Sequence, residues 1–274
     1  MMHKNVPPNP IMRLTTVLGA VNDNARYYQF IPYQIHFWRA FGIRFVAYFV
    51  GETLPDILVP YQDNIVLWDK TPELHSVFVA QNLRLYAPAL LDLPDDEMVL
   101  ITDMDMLPMS AAYYKDGLET FEKDDFIHYT DEIMHKSREI FMAYNAAHPH
   151  TWSKVFDIHG VDDVVARLRD NYAQGDAYTP GSMGWFIDQH TLYHHLIERN
   201  YPRFHVLNRK VQRLETWTYT GMMAKHPNTV FIHQFVDAHF HRDFDKNAHL
   251  IRDAKNQLDA LIQRGSVQGP GTGP

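Results

Sequence analysis

The sequence predicts an α/β fold with a mostly parallel central sheet flanked by helices, and three observations carry this. Met98-Val99-Leu100-Ile101 is an apolar run with no polar face, as a parallel strand covered on both sides by helices requires. Apolar, β-branched stretches alternate with helical stripes from residue 14 onward, so the order β-α-β is established by residue 70. Two carboxylates, Asp103 and Asp105, follow the 97–101 strand directly, with Pro108 close behind. Proline donates no ladder hydrogen bond, so strand pairing is expected to stop there. The acids then sit where the strand leaves the sheet, the edge at which open α/β sheets bind ligands.

In chain order, residues 14–21 (Leu-Thr-Thr-Val-Leu-Gly-Ala-Val) read as the first strand, running into the turn and cap residues Asn22-Asp23-Asn24. Ile31, Ile35, Trp38 and Phe41 have helical spacing, with Pro32 tolerated in the first turn and Gly42 as the residue after the helix. Residues 43–50 and 64–69 read as the second and third strands. Val79, Leu83, Tyr86 and Leu90 mark a helix over 75–91 that crosses back to the 97–101 strand. Arg84 falls off that stripe: it is either a cation reaching toward the strand ends or a solvated surface arginine.

Beyond the acids, 111–121 reads as helix, 125–130 and 140–144 as strands, 151–156 as helix, and 161–172 as an amphipathic helix. Gly181-Ser182-Met183-Gly184-Trp185-Phe186-Ile187 reads as a glycine turn leading into an apolar strand. Asp188 would cap a helix over 189–199. Glu215 stands at a further helix start, where a carboxylate complements the helix dipole. Residues 229–233 (Thr-Val-Phe-Ile-His) read as a last strand ending in His233, and 245–262 as a long helix. The Gly- and Pro-rich stretch 265–274 has no means of packing and is expected to be disordered.

In a strand, residues i and i+2 point to the same side, so Asp103 and Asp105 can face one ion, or one the ion and the other a sugar hydroxyl. Two close carboxylates need a positive partner, and their oxygen atoms suit Mg2+ or Mn2+. The absence of cysteine excludes disulfides, thiolate nucleophiles and Cys-ligated zinc. A formal charge of −8 and the lack of basic clusters argue against nucleic-acid binding. The 17 histidines are scattered and form no compact metal signature. No apolar run approaches the length of a membrane span, and residues 1–10 lack the apolar segment of a signal peptide. Cytoplasmic residence is therefore expected, with peripheral membrane association through an acceptor as an alternative.

The order of these motifs resembles the GT-A glycosyltransferases, and within them the glycogenin and lipopolysaccharide galactosyltransferase-like group, over about residues 13–242. It runs from Val17-Leu18-Gly19-Ala20-Val21-Asn22-Asp23 through Asp103-Met104-Asp105 to Phe231-Ile232-His233-Gln234-Phe235. The resemblance implies one GT-A domain over 1–264. It would comprise a nucleotide-binding half at about 13–110, a sugar and acceptor half at about 111–245, and the helix 245–262. It implies that Ala20, Val21, Asn22 and Asp23 hold the nucleoside, that Arg84, Asp103 and Met104 contact the donor, and that Pro180, Gly181 and Ser182 lie beside the donor sugar. Asp103 and Asp105 would bind Mn2+ or Mg2+ with His233 as third ligand.

The family carries a lysine on the diphosphate six residues after that histidine; here the position is His239, and the surrounding Gly and Pro-Trp are absent. His239 or His241 is thus an alternative ligand, and Arg242 an alternative positive charge. The implied function is transfer of a sugar from a nucleotide sugar, UDP-sugars favoured, to a hydroxyl acceptor such as a glycan. Glu215 is the first candidate for a general base and Asp188 the second; a retaining enzyme needs neither. The alternatives are a noncatalytic nucleotide-sugar-binding protein and a D-x-D phosphatase.

Overall fold

The computed structural model describes residues 11–130, 133–175, 178–179, 181–226, 229–241 and 244–265. The elements are β1 (Arg13–Asn22), α1 (Ala25–Tyr28), α2 (Ile31–Ala40), β2 (Arg44–Val50), β3 (Ile65–Trp68), α3 (Ser76–Tyr86), β4 (Glu97–Ile101) and β5 (Met106–Pro108). They continue with α4 (Ala111–Lys115), β6 (Phe126–His128), β7 (Ile133–Met134), β8 (Glu139–Ile140), β9 (Asn145–Ala147), α5 (Pro149–Phe156) and α6 (Val161–Gln174). The chain then forms α7 (Met183–Tyr193), β10 (Phe204–Val206), β11 (Arg213–Glu215), α8 (Thr216–Lys225), β12 (Asp237–His239) and α9 (Phe244–Gln263).

Among the described residues, the main sheet has seven strands in the order β10-β6-β9-β4-β1-β2-β3. β4, β1, β2 and β3 are mutually parallel, and β9 runs antiparallel to both β4 and β6. The first three strands step outward on one side of β1, and β4 then pairs on the other side. This places the topological switch point between the ends of β1 and β4, the crevice where open α/β sheets bind ligands. Alternate residues feed two cores. Val17, Phe45, Met98 and Leu100 pack toward α2 and α9, whereas Leu18, Val46, Val99 and Ile101 pack toward α3, α5, α6 and α7. Because both faces of the central strands β1, β2 and β4 are largely buried, these strands carry no polar face.

A second, three-stranded sheet, β11-β12-β5, lies at the exit of β4. It corrects the expectation that Pro108 ends strand pairing: β5 pairs antiparallel with β12, Asp237 opposite Pro108. Proline is tolerated because β5 is an edge strand of this sheet. Two strand readings are also corrected. Residues 183–187 form the start of α7 rather than a strand, since a short apolar run does not distinguish the two. Residues 229–233 form no strand; a 3-10 turn spans Ile232–Gln234 and packs on α9, with the Gln257 side chain accepting from Phe231 N at 2.8 Å. The strand expected over 140–144 is corrected too: only Ile140 lies in a strand, β8, and 141–144 form a turn that ends at Tyr144, with a φ of 68°, before β9 begins. The helix expected over 111–121 ends at Lys115, and a 3-10 turn, Leu118–Thr120, follows Gly117 at φ 80°. Residues 266–274 lie outside the described residues. No helix among the described residues is long and apolar enough to cross a membrane.

Candidate active site

The site is built on the turn that joins β4 to β5. Met104 points into the core, where its Cε would stand 3.1 Å from a Cβ placed on Gly19, a tight contact that the glycine on β1 avoids. With Met104 turned inward, the flanking Asp103 and Asp105 are left partly exposed at the sheet edge. They lie in a turn rather than on a strand, so they take different partners. A residue not anticipated from the sequence fixes this turn. Gln34 of α2, fully buried, donates through Nε2 to the carbonyls of Met104 (2.8 Å) and Met106 (2.9 Å), with a longer contact to Asp103 (3.3 Å). Its own oxygen accepts from Trp38 Nε1 at 2.9 Å. The available signal was a polar residue on the apolar stripe of α2.

Asp103 is ion-paired with Arg84 of α3, whose second guanidinium nitrogen lies 3.1 Å from Asp188. Arg84 is therefore a cation reaching the strand ends. Asp188 does not cap a helix: it sits in the interior of α7, is completely buried, and also accepts from Gln189 N at 2.8 Å. Burial raises the Asp188 pKa above the usual carboxylate value, with Arg84 opposing it. Gly181, at φ 85°, and Ser182 form the turn leading into α7, and the Ser182 hydroxyl donates to Thr179 O at 2.7 Å. Pro180 lies outside the described residues.

Asp105 faces the other way, toward the small sheet. The ladder sets Glu215 of β11 beside His239 of β12, and His239 opposite Met106, the neighbour of Asp105. The exit of β12 is pinned to the turn by Phe240 N donating to Asp105 O at 3.0 Å. As a result His239 Nε2 lies 3.6 Å from Asp105 Oδ2, and its Nδ1 lies 3.3 Å from Glu215 Oε2. His241 Nε2 is 2.8 Å from the same Glu215 oxygen, and its ring lies parallel to that of the exposed Trp217. Burial works to lower the His239 pKa, yet Asp105 and Glu215 outweigh it and hold the imidazole above its ordinary value. The structure does not bring His233 to the acids: it is exposed on the 3-10 turn Ile232–Gln234, because 229–233 is not the strand that would have delivered it. The imidazole beside Asp105 is that of His239. Arg242 lies outside the described residues.

At the end of β1, Val21 and Asn22 are buried, Ala20 is half-buried and Asp23 is exposed. Asn22 Nδ2 donates to Ser76 Oγ at the start of α3 (3.1 Å), and Asn24 caps α1. Asp23 and Ser76 line a cleft of about 770 Å³ with Gly51, Leu54, Trp68 and Asp69, beyond the ends of β1, β2 and β3.

No protein-family model and no curated protein matches the sequence. Among solved structures, the glycosyltransferase GlyE of Streptococcus pneumoniae TIGR4 superposes with a TM-score of 0.51 at 12% identity, over 94% of this chain and 66% of that one. The galactosyltransferase LgtC, solved with donor and acceptor sugar analogues, is similar at a TM-score of 0.44 and 13% identity, over 95% of this chain and 98% of that one. The likeness to GlyE, together with the strand order, gives this chain the GT-A fold.

Proposed function

We propose that this GT-A chain is a metal-dependent glycosyltransferase that moves a sugar from a nucleoside-diphosphate sugar, UDP-sugars favoured, to a hydroxyl acceptor such as a glycan. One observation carries the reading. At the switch point of the sheet, the two acids of a single turn separate, Asp103 to a half-buried arginine and Asp105 to an imidazole from the far end of the chain. A site that must hold both a diphosphate and a sugar needs fixed positive charge next to oxygen ligands, and this arrangement supplies both.

Asp105 and His239 would hold a Mn2+ or Mg2+ ion, with Asp103 of the same turn as a further oxygen ligand once turned from Arg84, and the mixed oxygen and imidazole donor set fits such a cation, the imidazole favouring Mn2+. When bound, it would supply Lewis-acid stabilisation of the departing diphosphate. His239 is favoured over His233 by the register of β12 against β5. Arg84, locked between Asp103 and Asp188, holds its charge at the mouth of the crevice without having to reorganise. Ala20 to Asp23 and the cleft beside them are suited to the nucleoside, and Gly181 and Ser182 to the sugar side. Neither carboxylate expected as a base is free for an acceptor hydroxyl: Asp188 is enclosed under Arg84, and Glu215 is engaged by imidazoles. This favours a retaining transfer, which needs no protein base.

A thermal-shift screen of UDP-, GDP-, ADP- and dTDP-sugars with and without Mn2+ tests the reading, since a ligand that binds only the native state raises the melting temperature. One class of donor is expected to stabilise the protein, and only with the metal. Stabilisation by none of them would overturn the proposal.

A further inference from the structure

The two ring nitrogens of His239 face different carboxylates, Nε2 toward Asp105 and Nδ1 toward Glu215. Their lone pairs diverge in the plane of the ring, so a single ion is bound through one nitrogen and never through both. A neutral imidazole has one N–H donor and one acceptor nitrogen, and the partner of one nitrogen decides the state of the other. Glu215, with no N–H of its own to give, can only accept. It is itself held by His241 Nε2 at 2.8 Å, and the His241 ring is braced against Trp217.

We propose that Glu215 is a positioning residue: it accepts the Nδ1 proton of His239 and so leaves the Nε2 lone pair directed at a divalent cation beside Asp105. This rests on the reading that Asp105 and His239 share an ion. His241 orients Glu215, and the β11-β12 ladder fixes the spacing of the pair. The competing arrangement uses Glu215, His239 and His241 as an ion site of their own, their ligand atoms lying within 4.8 Å of one another. That site would consume Nδ1, turn the remaining proton toward Asp105, and leave both acids of the β4-β5 turn without the histidine. Carboxylates behind metal-bound histidines act in the first manner, and losing one typically lowers metal affinity 10- to 100-fold.

The test measures Mn2+ affinity by the electron paramagnetic resonance signal of free Mn2+, for the wild type, Asp105→Asn, Glu215→Ala and Glu215→Gln. Glu215 makes no side-chain cap to α8, so these changes leave the helix start intact. The expected result is loss of binding in Asp105→Asn, a 10- to 100-fold weakening in Glu215→Ala, and recovery to within a few-fold in Glu215→Gln, whose amide oxygen still accepts from Nδ1. Unchanged affinity in Glu215→Ala, or a Glu215→Gln defect as severe as that of Asp105→Asn, would overturn the proposal, the latter by making Glu215 a direct ligand. If the wild type binds no Mn2+, the reading beneath the proposal fails instead. Nitrogen-15 NMR of the metal-free protein at pH 9, with His239 identified by its loss in His239→Asn, then decides the tautomer alone. A proton on Nδ1 that becomes shared in Glu215→Ala upholds the inference, and a proton on Nε2 contradicts it.

Discussion

Gln34 shows how much of the site depends on a single side chain. Its amide nitrogen serves the carbonyls around the acid pair, so replacing it by leucine leaves buried acceptors without a donor. Gln34→Leu is expected to cost about 1 to 3 kcal/mol in urea denaturation and to weaken Mn2+ binding as the turn relaxes; wild-type stability would contradict this. Arg84 is a stronger case because its partner Asp188 has no exposed surface. Arg84→Met strands a buried charge and is expected to cost about 3 to 5 kcal/mol, with Asp188→Asn much milder; equal losses in the two variants would refute the account. Arg84 was legible in the sequence because it lay off an apolar stripe near the strand ends. Gln34 was not, because helical spacing records which residues face the core but not which carbonyls wait there.

The parallel strands were readable because burial on both faces leaves only apolar residues to see. β12 was not: Asp237-Ala238-His239 has no β-branched or aromatic residue, and it is a strand because β11 and β5 flank it. The β-branched run 229–232 looked the better strand, but Phe231 and Ile232 are buried against α9 instead. The expectation that a strand would deliver His233 to the acids followed from that. Helix boundaries were more secure where a backbone requirement marks them. Gly42 closes α2 at φ 70°, and a Cβ there would meet nothing within 4 Å. Gly42→Ala is therefore expected to cost about 1 to 2 kcal/mol through the left-handed backbone alone, read by urea denaturation. Stabilisation, which the loss of unfolded-chain entropy would produce in a relaxed backbone, would contradict it.

Across the whole molecule, stability is tied to pH through His195. His195 follows α7 in a π-helical turn, where burial and then the Arg199 charge depress its pKa to about 4, with His194 and Arg167 adding smaller effects. Its Nδ1 donates to Val155 O at 2.7 Å, which opposes the shift. Because the folded value lies below the unfolded one, the unfolded chain binds the proton first as pH falls from about 6.5 to 4. Stability is full above that window and falls within it, by about 2 kcal/mol once partial exposure is allowed for. Urea denaturation from pH 7 to 4 should show this slope flattened in His195→Gln; an unchanged slope would place the effect elsewhere.

The turn bearing Asp103 and Asp105 is proposed to bind a nucleoside diphosphate through a divalent ion. Calorimetric titration of UDP into the protein, with and without Mn2+, measures it directly in the wild type and in Asp105→Asn. UDP binding is expected to depend on Mn2+ in the wild type and to be lost in Asp105→Asn at unchanged urea stability. UDP binding equally well without Mn2+, or surviving intact in Asp105→Asn, would contradict it.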